Sequence, residues 1–301
     1  MTLAVEAGKR IQVKNVLFGT DFSTGSKAAL QYALLFARRY GATLHVAHVL
    51  PTVADMVVMS PEFGVEAAAH EDQRVRDYLE QMEKQLQGVT HRVMTPKGGV
   101  AEELSRIVEE QEIDLMVLGT HGRTGVRKLV MGSVAEDVFR RAACPVLSVG
   151  PNVCSQPDPD ASLKHILFAT DFSESSLAAL PYAISFAEED ESELTLLNVV
   201  EQPAAGVPEV RGFREALLRR LRSLVPAEAE SWCHPHCVVE FGELFAAPAR
   251  AILNVAKHGA VDLIVLGVRP MRRGLSLATH LSTTTAQVLT QAACPVLTVR
   301  R

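Results

Sequence analysis

This 301-residue chain lacks long apolar segments and has no strong charge of either sign. No stretch of 18 uncharged apolar residues occurs, and the start has no apolar segment behind a basic one, which argues against a membrane span and a secretory leader. The formal charge is −5, from 30 Lys and Arg against 35 Asp and Glu, and gives no sign of a nucleic-acid or anionic-membrane partner. We therefore expect a cytoplasmic protein that contacts neither nucleic acid nor membrane.

Cysteine is also scarce, and its odd count of five does not suit a disulfide framework. Cys144 and Cys294 recur in the same context, Ala-Ala-Cys-Pro-Val-Leu, which favours buried packing over a nucleophilic role. The run Cys233–Cys237 crowds two cysteines and two histidines into five residues that lead into a probable strand, where successive side chains point to opposite faces. These four donors cannot converge on one ion, so we expect neither a metal site nor a catalytic cysteine.

What the chain does contain is an internal repeat. Residues 13–37 and 163–187 are identical at 15 of 25 positions, including Thr20-Asp21-Phe22-Ser23 and Thr170-Asp171-Phe172-Ser173. The match resumes at Asp114 and Asp262, and again at the two Cys-Pro-Val-Leu segments. We predict two copies of one domain, at 1–150 and 163–301, joined by a proline-containing linker at 151–162.

Short apolar runs alternate with segments of helical period in the first copy. The predicted strands are Val13–Phe18, Thr43–Leu50, His91–Thr95, Leu115–Leu118 and Pro145–Val149. The predicted helices are Ser23–Tyr40, Glu66–Leu86, Val100–Gln111 and Ser133–Ala142. Strands rich in Val, Ile and Leu with helical crossovers indicate an α/β fold: two repeated open parallel-sheet domains, Rossmann-like, with five strands each and helices on both faces.

Three segments of the first copy follow predicted strands and could converge on one ligand at the carboxyl edge of the sheet. They are Gly19-Thr20-Asp21, His48-Val49 and Gly119-Thr-His-Gly122. A glycine-rich turn that leads into a helix exposes backbone N–H groups beside the positive end of the helix dipole, which suits phosphate. We therefore predict a nucleotide site there, although a tight turn is the alternative for the glycines.

Each candidate residue has a role that its chemistry suits. Gly119 and Gly122 would let the backbone approach phosphate, and Gly132-Ser133 would supply N–H donors, a hydroxyl and a helix N-terminus. Two residues of the glycine loop, His121 and Arg123, could add charge or hydrogen bonds to phosphate oxygens.

The remaining candidates would contact the sugar, the base or a metal bound to phosphate. Asp21 would accept a hydrogen bond from a ribose hydroxyl or lie near a phosphate-bound magnesium ion. Val49 and Val100 would provide apolar walls for the base. Asp21 could instead cap the helix that follows, although Ser23 is the better candidate for that cap.

The glycine spacing is similar to the ATP-binding pattern of the universal stress protein family, which is Gly, two residues, Gly, nine residues, Gly, then Ser or Thr. Gly119, Gly122, Gly132 and Ser133 match it without a gap, and the resemblance covers nearly the whole chain twice. It implies an adenine nucleotide alpha hydrolase-like fold whose halves pair as the family's homodimers do, with Pro145–Val149 meeting Pro295–Val299 across a pseudo-twofold axis. The nucleotide contacts that it implies are Asp21, Val49, Gly119, Gly122, Gly132, Ser133 and Val134, with the backbone of Leu118 and the side chain of His121 nearby.

The second copy departs from this pattern. Gly267 is followed by Val268-Arg269-Pro270, so proline replaces the second glycine, and Ser282-Thr283 stand where Gly132-Ser133 do. We predict that this copy has lost its phosphate site. Arg269, Arg272 and Arg273 could still hold an anion; the alternative is a solvated basic loop on a domain kept for pairing.

Three functions fit these observations. The first is an ATP-binding regulatory stress-response protein with one ATP site in the first domain, where Mg is expected only as a companion of the phosphates. The second is a slow ATPase or phosphotransferase, although no P-loop of the form Gly-x4-Gly-Lys-Ser occurs. The third is a nucleotide-free pairing scaffold. Whether tandem chains pair again as a homodimer is left open by the sequence.

Overall fold

The computed structural model describes residues 10–52, 64–120, 133–153, 157, 162–202, 210–243, 247–269 and 282–300. The first half contains β1 (Asn15–Gly19), α1 (Thr24–Tyr40), β2 (Thr43–Ala47), α2 (Gly64–Glu83), β3 (His91–Met94), α3 (Val100–Glu110), β4 (Leu115–Gly119), α4 (Ser133–Arg141) and β5 (Val146–Val149). The second half contains β6 (His165–Ala169), α5 (Glu174–Leu177), α6 (Leu180–Asp190), β7 (Glu193–Gln202), α7 (Val210–Arg222), α8 (Glu230–Cys233), β8 (His236–Glu243), α9 (Ala247–His258), β9 (Leu263–Val268), α10 (Thr283–Gln291) and β10 (Val296–Arg300).

All ten strands form one sheet in the order β3-β2-β1-β4-β5-β10-β9-β6-β7-β8. Neighbouring strands run parallel within each half. The apolar strands are covered by helices, because α1, α2, α6 and α7 pack into one apolar cluster and α3, α4, α9 and α10 pack into another. The predicted α/β fold with five parallel strands in each half is therefore confirmed.

The two halves meet at an antiparallel pair of strands, β5 and β10. Leu147 lies opposite Leu297, and these two residues occupy the same position in the two copies. A local twofold axis therefore passes between them, as the resemblance implied for the last strands. On one face of the sheet, Phe36 of α1 and Phe186 of α6 are also equivalent, and their ring centroids lie 5.4 Å apart.

Some predicted boundaries differ from the observed ones. Strand β1 begins at Asn15 rather than Val13, because its neighbour β2 begins at Thr43, which pairs with Asn15. Strand β2 ends at Ala47, and Leu50 instead forms an isolated bridge with Lys97. The ends of each strand depend on where its neighbouring strand begins and ends. The apolar pattern of a single segment does not contain that information.

The helix after β6 is interrupted, unlike its counterpart α1. Helix α5 ends at Leu177, and α6 begins at Leu180 with Pro181 in its first turn. Proline has no N–H to donate to the carbonyl of Leu177, so a continuous helix would lose a hydrogen bond here. The first copy has Gln31 at this position, and α1 is continuous over 17 residues.

Cys144 and Cys294 are buried and unbonded to each other, which confirms the packing interpretation. Burial raises the pKa of each thiol to about 12. Cys233 is buried at the end of α8, whereas Cys237 is half-buried in β8.

Among the helices that the structure describes, none has the length and apolar character that a membrane span requires.

Candidate functional site

The candidate site lies where the strand order of the first half reverses. From β1 the chain moves outward to β2 and β3, and it then returns to β4 on the other side of β1. Strands β1 and β4 pair directly, with Gly19 opposite Leu118 at their carboxyl ends. Open α/β sheets bind ligands in the crevice that such a reversal creates. Gly19, Thr20 and Asp21 border this crevice from β1, and Leu118 and Gly119 border it from β4.

A tight hydrogen-bonded turn links β1 to α1. The hydroxyl of Thr20 accepts a hydrogen bond from Phe22 N–H at 3.0 Å and donates one to Ser26 Oγ at 3.1 Å. Asp21 Oδ1 accepts a hydrogen bond from Ser23 N–H at 3.0 Å. Phe22 has a φ of 61°, a left-handed conformation that a non-glycine residue adopts only where its surroundings hold it. The side chains of Thr20 and Asp21 thus fix the conformation of the turn that follows β1.

Ser23 is the N-cap of α1, as predicted. Its hydroxyl accepts a hydrogen bond from Ser26 N–H at 3.2 Å, so it satisfies one of the unpaired amides of the first helical turn. Asp21 lies two residues before the cap and stabilises the turn that precedes it. The alternative in which Asp21 itself caps the helix is therefore excluded, while a ligand role for its carboxylate stays a prediction.

The second half builds the same turn. Phe172 also has a φ of 61°, Thr170 accepts a hydrogen bond from Phe172 N–H at 2.9 Å, and Asp171 Oδ1 accepts one from Ser173 N–H at 2.9 Å. This half lacks the second glycine of the motif. The turn is therefore a structural feature of both halves, and it does not by itself indicate a ligand.

Gly119 has a packing role that the sequence analysis missed. A Cβ at this position would lie 2.9 Å from the carbonyl carbon of Gly25 and 3.0 Å from the nitrogen of Ser26. In the second half, a Cβ at Gly267 would lie 2.0 Å from the carbonyl oxygen of Ser175. Close contact between the end of this strand and the first turn of helix α1 in the first half, or of helix α5 in the second, thus requires glycine in both halves. The retention of Gly267 beside Pro270 has the same explanation.

A buried histidine holds the turn against β2. His48 Nδ1 lies 2.7 Å from the carbonyl oxygen of Thr20, so Nδ1 carries the proton. The His48 ring also contacts Phe22, with centroids 4.3 Å apart, and Phe22 stacks on Tyr78 of α2 at 4.7 Å. Asn198 fills the position of His48 in the second half and donates to the Thr170 carbonyl at 2.8 Å.

The predicted apolar walls lie on the same face of the sheet. Val49 and Val100 are both partly buried and pack against the same cluster of side chains, which includes Leu118. Met94, the last residue of β3, packs against this cluster as well. The sequence analysis missed Met94, although its place at the end of a predicted strand was a signal. All three side chains are partly buried on this face, and a role as walls for a base stays a prediction.

Several predicted residues lie outside the described part of the chain, namely His121, Gly122, Arg123 and Gly132. Ser133 and Val134 are the first two residues of α4, and only their backbone is described. From the end of β4 to α4, the structure therefore describes only Gly119, Thr120 and the start of α4. No group of three or more metal-ligating side chains occurs among the residues that the structure describes.

The corresponding region of the second half contains an ion pair. Arg269, which aligns with His121, places Nη2 3.4 Å from Asp171 Oδ2. Partial burial alone would raise the pKa of Asp171, but the hydrogen bonds from Ser173 and Ser176 and the charge of Arg269 together lower it below its ordinary value. The Asp171 carboxylate thus has a cationic partner from its own chain.

The helix start also differs from that of the first half. Ser282 is the N-cap of α10, and its hydroxyl accepts a hydrogen bond from Thr285 N–H at 3.2 Å. Gly132 occupies this position in the first half and has no side chain that could act as a cap. The N–H of Thr285 in the first turn of α10 is therefore already hydrogen-bonded within the chain.

Comparisons with known proteins agree with the duplicated architecture. Residues 12–150 and 162–300 each match the model of the universal stress protein family. Universal stress protein MJ0531 of Methanocaldococcus jannaschii is 32% identical over 139 residues, which cover 45% of this chain and 81% of that protein. Universal stress protein MJ0577 of the same organism is 26% identical over 155 residues, which cover 46% of this chain and 96% of that protein.

A solved structure has a similar fold along nearly the whole chain. The crystal structure of a universal stress protein from Archaeoglobus fulgidus has a TM-score of 0.70 at 21% identity and covers 96% of this chain and 99% of its own. Its likeness extends to both halves of the fold. Since the family model matches both copies of the repeat, the chain belongs to the universal stress protein family.

Proposed function

We propose that the first half binds ATP in the crevice between the carboxyl ends of β1 and β4, and that ATP occupancy regulates a stress response through the conformation that the chain presents. The observation that carries this proposal is the position of the spaced glycine motif, which begins at the strand reversal. The residues proposed to contact the nucleotide are Gly19, Thr20, Asp21, Val49, Val100, Leu118, Gly119, His121, Gly122, Arg123, Gly132, Ser133 and Val134.

The apolar and polar parts of the crevice suit different parts of ATP. Val49, Val100 and Met94 pack on one apolar cluster, which favours a place for the adenine ring beside them. The start of α4 supplies amides and the positive end of a helix dipole for the phosphates. Asp21 is proposed to face the ribose or a magnesium ion that accompanies the phosphates.

We propose that the second half binds no nucleotide. Three features support this: Pro270 replaces a glycine of the motif, Arg269 pairs with Asp171, and Ser282 caps α10. Each of them removes or occupies a group that the nucleotide would use. The expected stoichiometry is one ATP per chain.

Calorimetric titration of two reciprocal variants tests the proposal. Gly132→Ser introduces into the first half the capping residue that the second half has. We expect it to weaken ATP binding at least about tenfold, since the serine hydroxyl competes with phosphate for one amide and a hydrogen bond to a charged group contributes about 1.5–3 kcal/mol. Ser282→Gly makes the opposite exchange in the second half and should leave the affinity for ATP unchanged.

A thermal melt of each variant serves as the folding control. If folded Gly132→Ser bound ATP as tightly as the unaltered chain, the start of α4 would not be a phosphate contact. If Ser282→Gly lowered the affinity as much as Gly132→Ser, the assignment of the site to the first half would be wrong.

A further inference from the structure

The helices at the two ends of one layer carry opposite charge. Helix α2 follows β2 in the first half and contains six acidic and two basic residues, a formal charge of −4. Helix α7 follows β7 in the second half and contains five arginines and one glutamate, a formal charge of +4. The two helices are equivalent in the repeat. Duplication has therefore produced the same element twice with reversed charge.

These helices lie at opposite ends of the molecule. Strand β3, which follows α2, is one edge of the ten-stranded sheet, and β8, which follows α7, is the other. Both helices pack on the same apolar cluster as α1 and α6, so α2 and α7 are the outer members of one helical layer. The chain as a whole has a charge of −5, and α7 is thus a basic end on an acidic protein.

The charges of the described side chains face solvent. Arg214, Arg219, Arg220 and Arg222 of α7 are exposed, and so are Asp77, Glu80 and Glu83 of α2. Some of these groups have contacts within the chain: Arg222 pairs with Glu230 at 3.0 Å, Arg220 lies over the Phe172 ring, and Glu83 pairs with His91 at 2.9 Å. These exposed contacts leave the guanidinium groups at the surface, where they can still attract a negatively charged partner.

Exposed apolar side chains occur at the same two ends. Within the described ranges, the large hydrophobic residues that stand exposed are Phe213 of α7, at 52%, and Val93 of β3, at 38%. An exposed aromatic residue among arginines is typical of the composition of protein interfaces. The acidic and basic ends thus each have an apolar side chain that a contact would bury.

We propose that α7 of one chain docks against α2 of a second copy of the same chain. Such a contact joins different surfaces of identical molecules, so it is heterologous and can continue from copy to copy. Because the attraction is electrostatic and at the surface, it weakens as added salt shortens the Debye length from about 30 Å at 0.01 M to about 3 Å at 1 M. This contact involves neither the β1–β4 crevice nor the β5–β10 pair, and it is independent of the proposed ATP site.

Sedimentation velocity on charge-reversed full-length chains tests the proposal. The acidic-end variant is Asp77→Arg with Glu80→Arg, and the basic-end variant is Arg214→Glu with Arg219→Glu. At low salt, we expect the unaltered chain to sediment above the 32.7 kDa of one copy, and each variant alone to associate at least about tenfold more weakly. An equimolar mixture of the two variants should regain association, because each then offers the end that the other lacks.

Matched controls are Glu109→Arg and Lys257→Glu, exposed substitutions in α3 and α9, which pack on the other face of the sheet. Both should sediment as the unaltered chain does. The proposal is overturned if the unaltered chain stays at 32.7 kDa at low salt, or if the mixture of variants does not associate. It is also overturned if the chain binds vesicles of anionic phospholipid through α7 while remaining a single copy.

Discussion

Two glycines occupy equivalent positions at the ends of β4 and β9, although the copies differ in the loops that follow. Gly119 and Gly267 each lie against the backbone at the start of the helix after the first strand of their half. The contact explains why glycine is retained at 267 where the rest of the motif is lost. A glycine in a nucleotide motif can thus be required for packing as well as for ligand binding.

Alanine at these glycines should destabilise the chain. We expect Gly119→Ala to lower the free energy of unfolding by about 1–3 kcal/mol, and Gly267→Ala to lower it more, because its Cβ would lie closer to backbone. Urea unfolding followed by circular dichroism measures both. Gly212→Ala is the control: it lies within α7 with no atom near its Cβ, and it should stabilise by about 0.5–1 kcal/mol. Equal stability of Gly119→Ala and the unaltered chain would contradict the packing role.

The thiols of Cys144 and Cys294 should be unreactive in the folded chain. Burial raises their pKa from the ordinary value of 9.0 to about 12, so almost no thiolate is present at pH 8. We expect iodoacetamide to modify both at least about a hundredfold more slowly in the native chain than in urea, as followed by peptide mass spectrometry. The half-buried Cys237 provides an internal comparison and should react faster than either.

The same thiols make stability depend on alkaline pH. Above pH 9 the unfolded chain releases these protons, whereas the folded chain keeps them until about pH 12. The folded state then binds more protons than the unfolded state, so the contribution of the thiols to stability falls as the pH rises through this interval. Rapid modification of Cys144 in folded protein at pH 8 would show that its pKa is not raised.

At the scale of elements, helices α1 and α6 join the two halves on one face of the sheet. Phe36 and Phe186 contact each other in a T-shaped arrangement, and Tyr40 and Tyr182 lie against the Phe186 ring. Arg39 of α1 also pairs with Asp190 of α6, and both side chains are largely buried. This contact links the copies independently of the β5–β10 strand pair.

Removal of the central ring should therefore weaken the whole chain. We expect Phe186→Ala to lower the free energy of unfolding by about 3–5 kcal/mol, because Phe186 is fully buried and leaves a cavity. Phe213→Ala removes the same side chain from an exposed position and should change stability by less than about 0.5 kcal/mol. A small effect of Phe186→Ala on urea unfolding would mean that α1 and α6 do not hold the halves together.

A helix or strand could be predicted from the sequence where the residues that determine it all lie within that one segment. Helix α1 follows from its apolar spacing and its serine cap, and the predicted Ser23–Tyr40 differs from the observed helix only by the cap itself. The interruption between α5 and α6 depends on Pro181. In the alignment of residues 13–37 with 163–187, this proline is only one of the ten positions at which the two copies differ. Its effect on the helix becomes evident only from the backbone.

At the scale of the whole molecule, the repeat predicted the two halves, and the resemblance implied how they meet. The contacts between distant segments could not be read from the sequence. Gly119 against Gly25 and Arg269 beside Asp171 each join residues more than ninety positions apart, and no local pattern marks such a pair. For the same reason, the sequence analysis did not place Met94 on the apolar cluster that Val49 and Val100 also contact.

The two halves share a fold and differ at the carboxyl edges of their sheets. The first keeps the spaced glycines, with Gly132 where the second has a serine, whereas the second has a serine cap and an arginine beside its carboxylate. These differences are the reason that we propose a nucleotide site in the first half alone. Asp171→Ala and Arg269→Ala should accordingly leave the number of bound nucleotides unchanged.

The number of ATP molecules bound per chain is the most direct test of this division. Native mass spectrometry of the full-length chain with excess ATP and magnesium should show the mass of one nucleotide added to each 32.7 kDa chain, and Gly122→Pro should abolish that addition. Two nucleotides per chain would contradict the loss of the second site. A chain that stayed free of nucleotide would contradict the site in the first half.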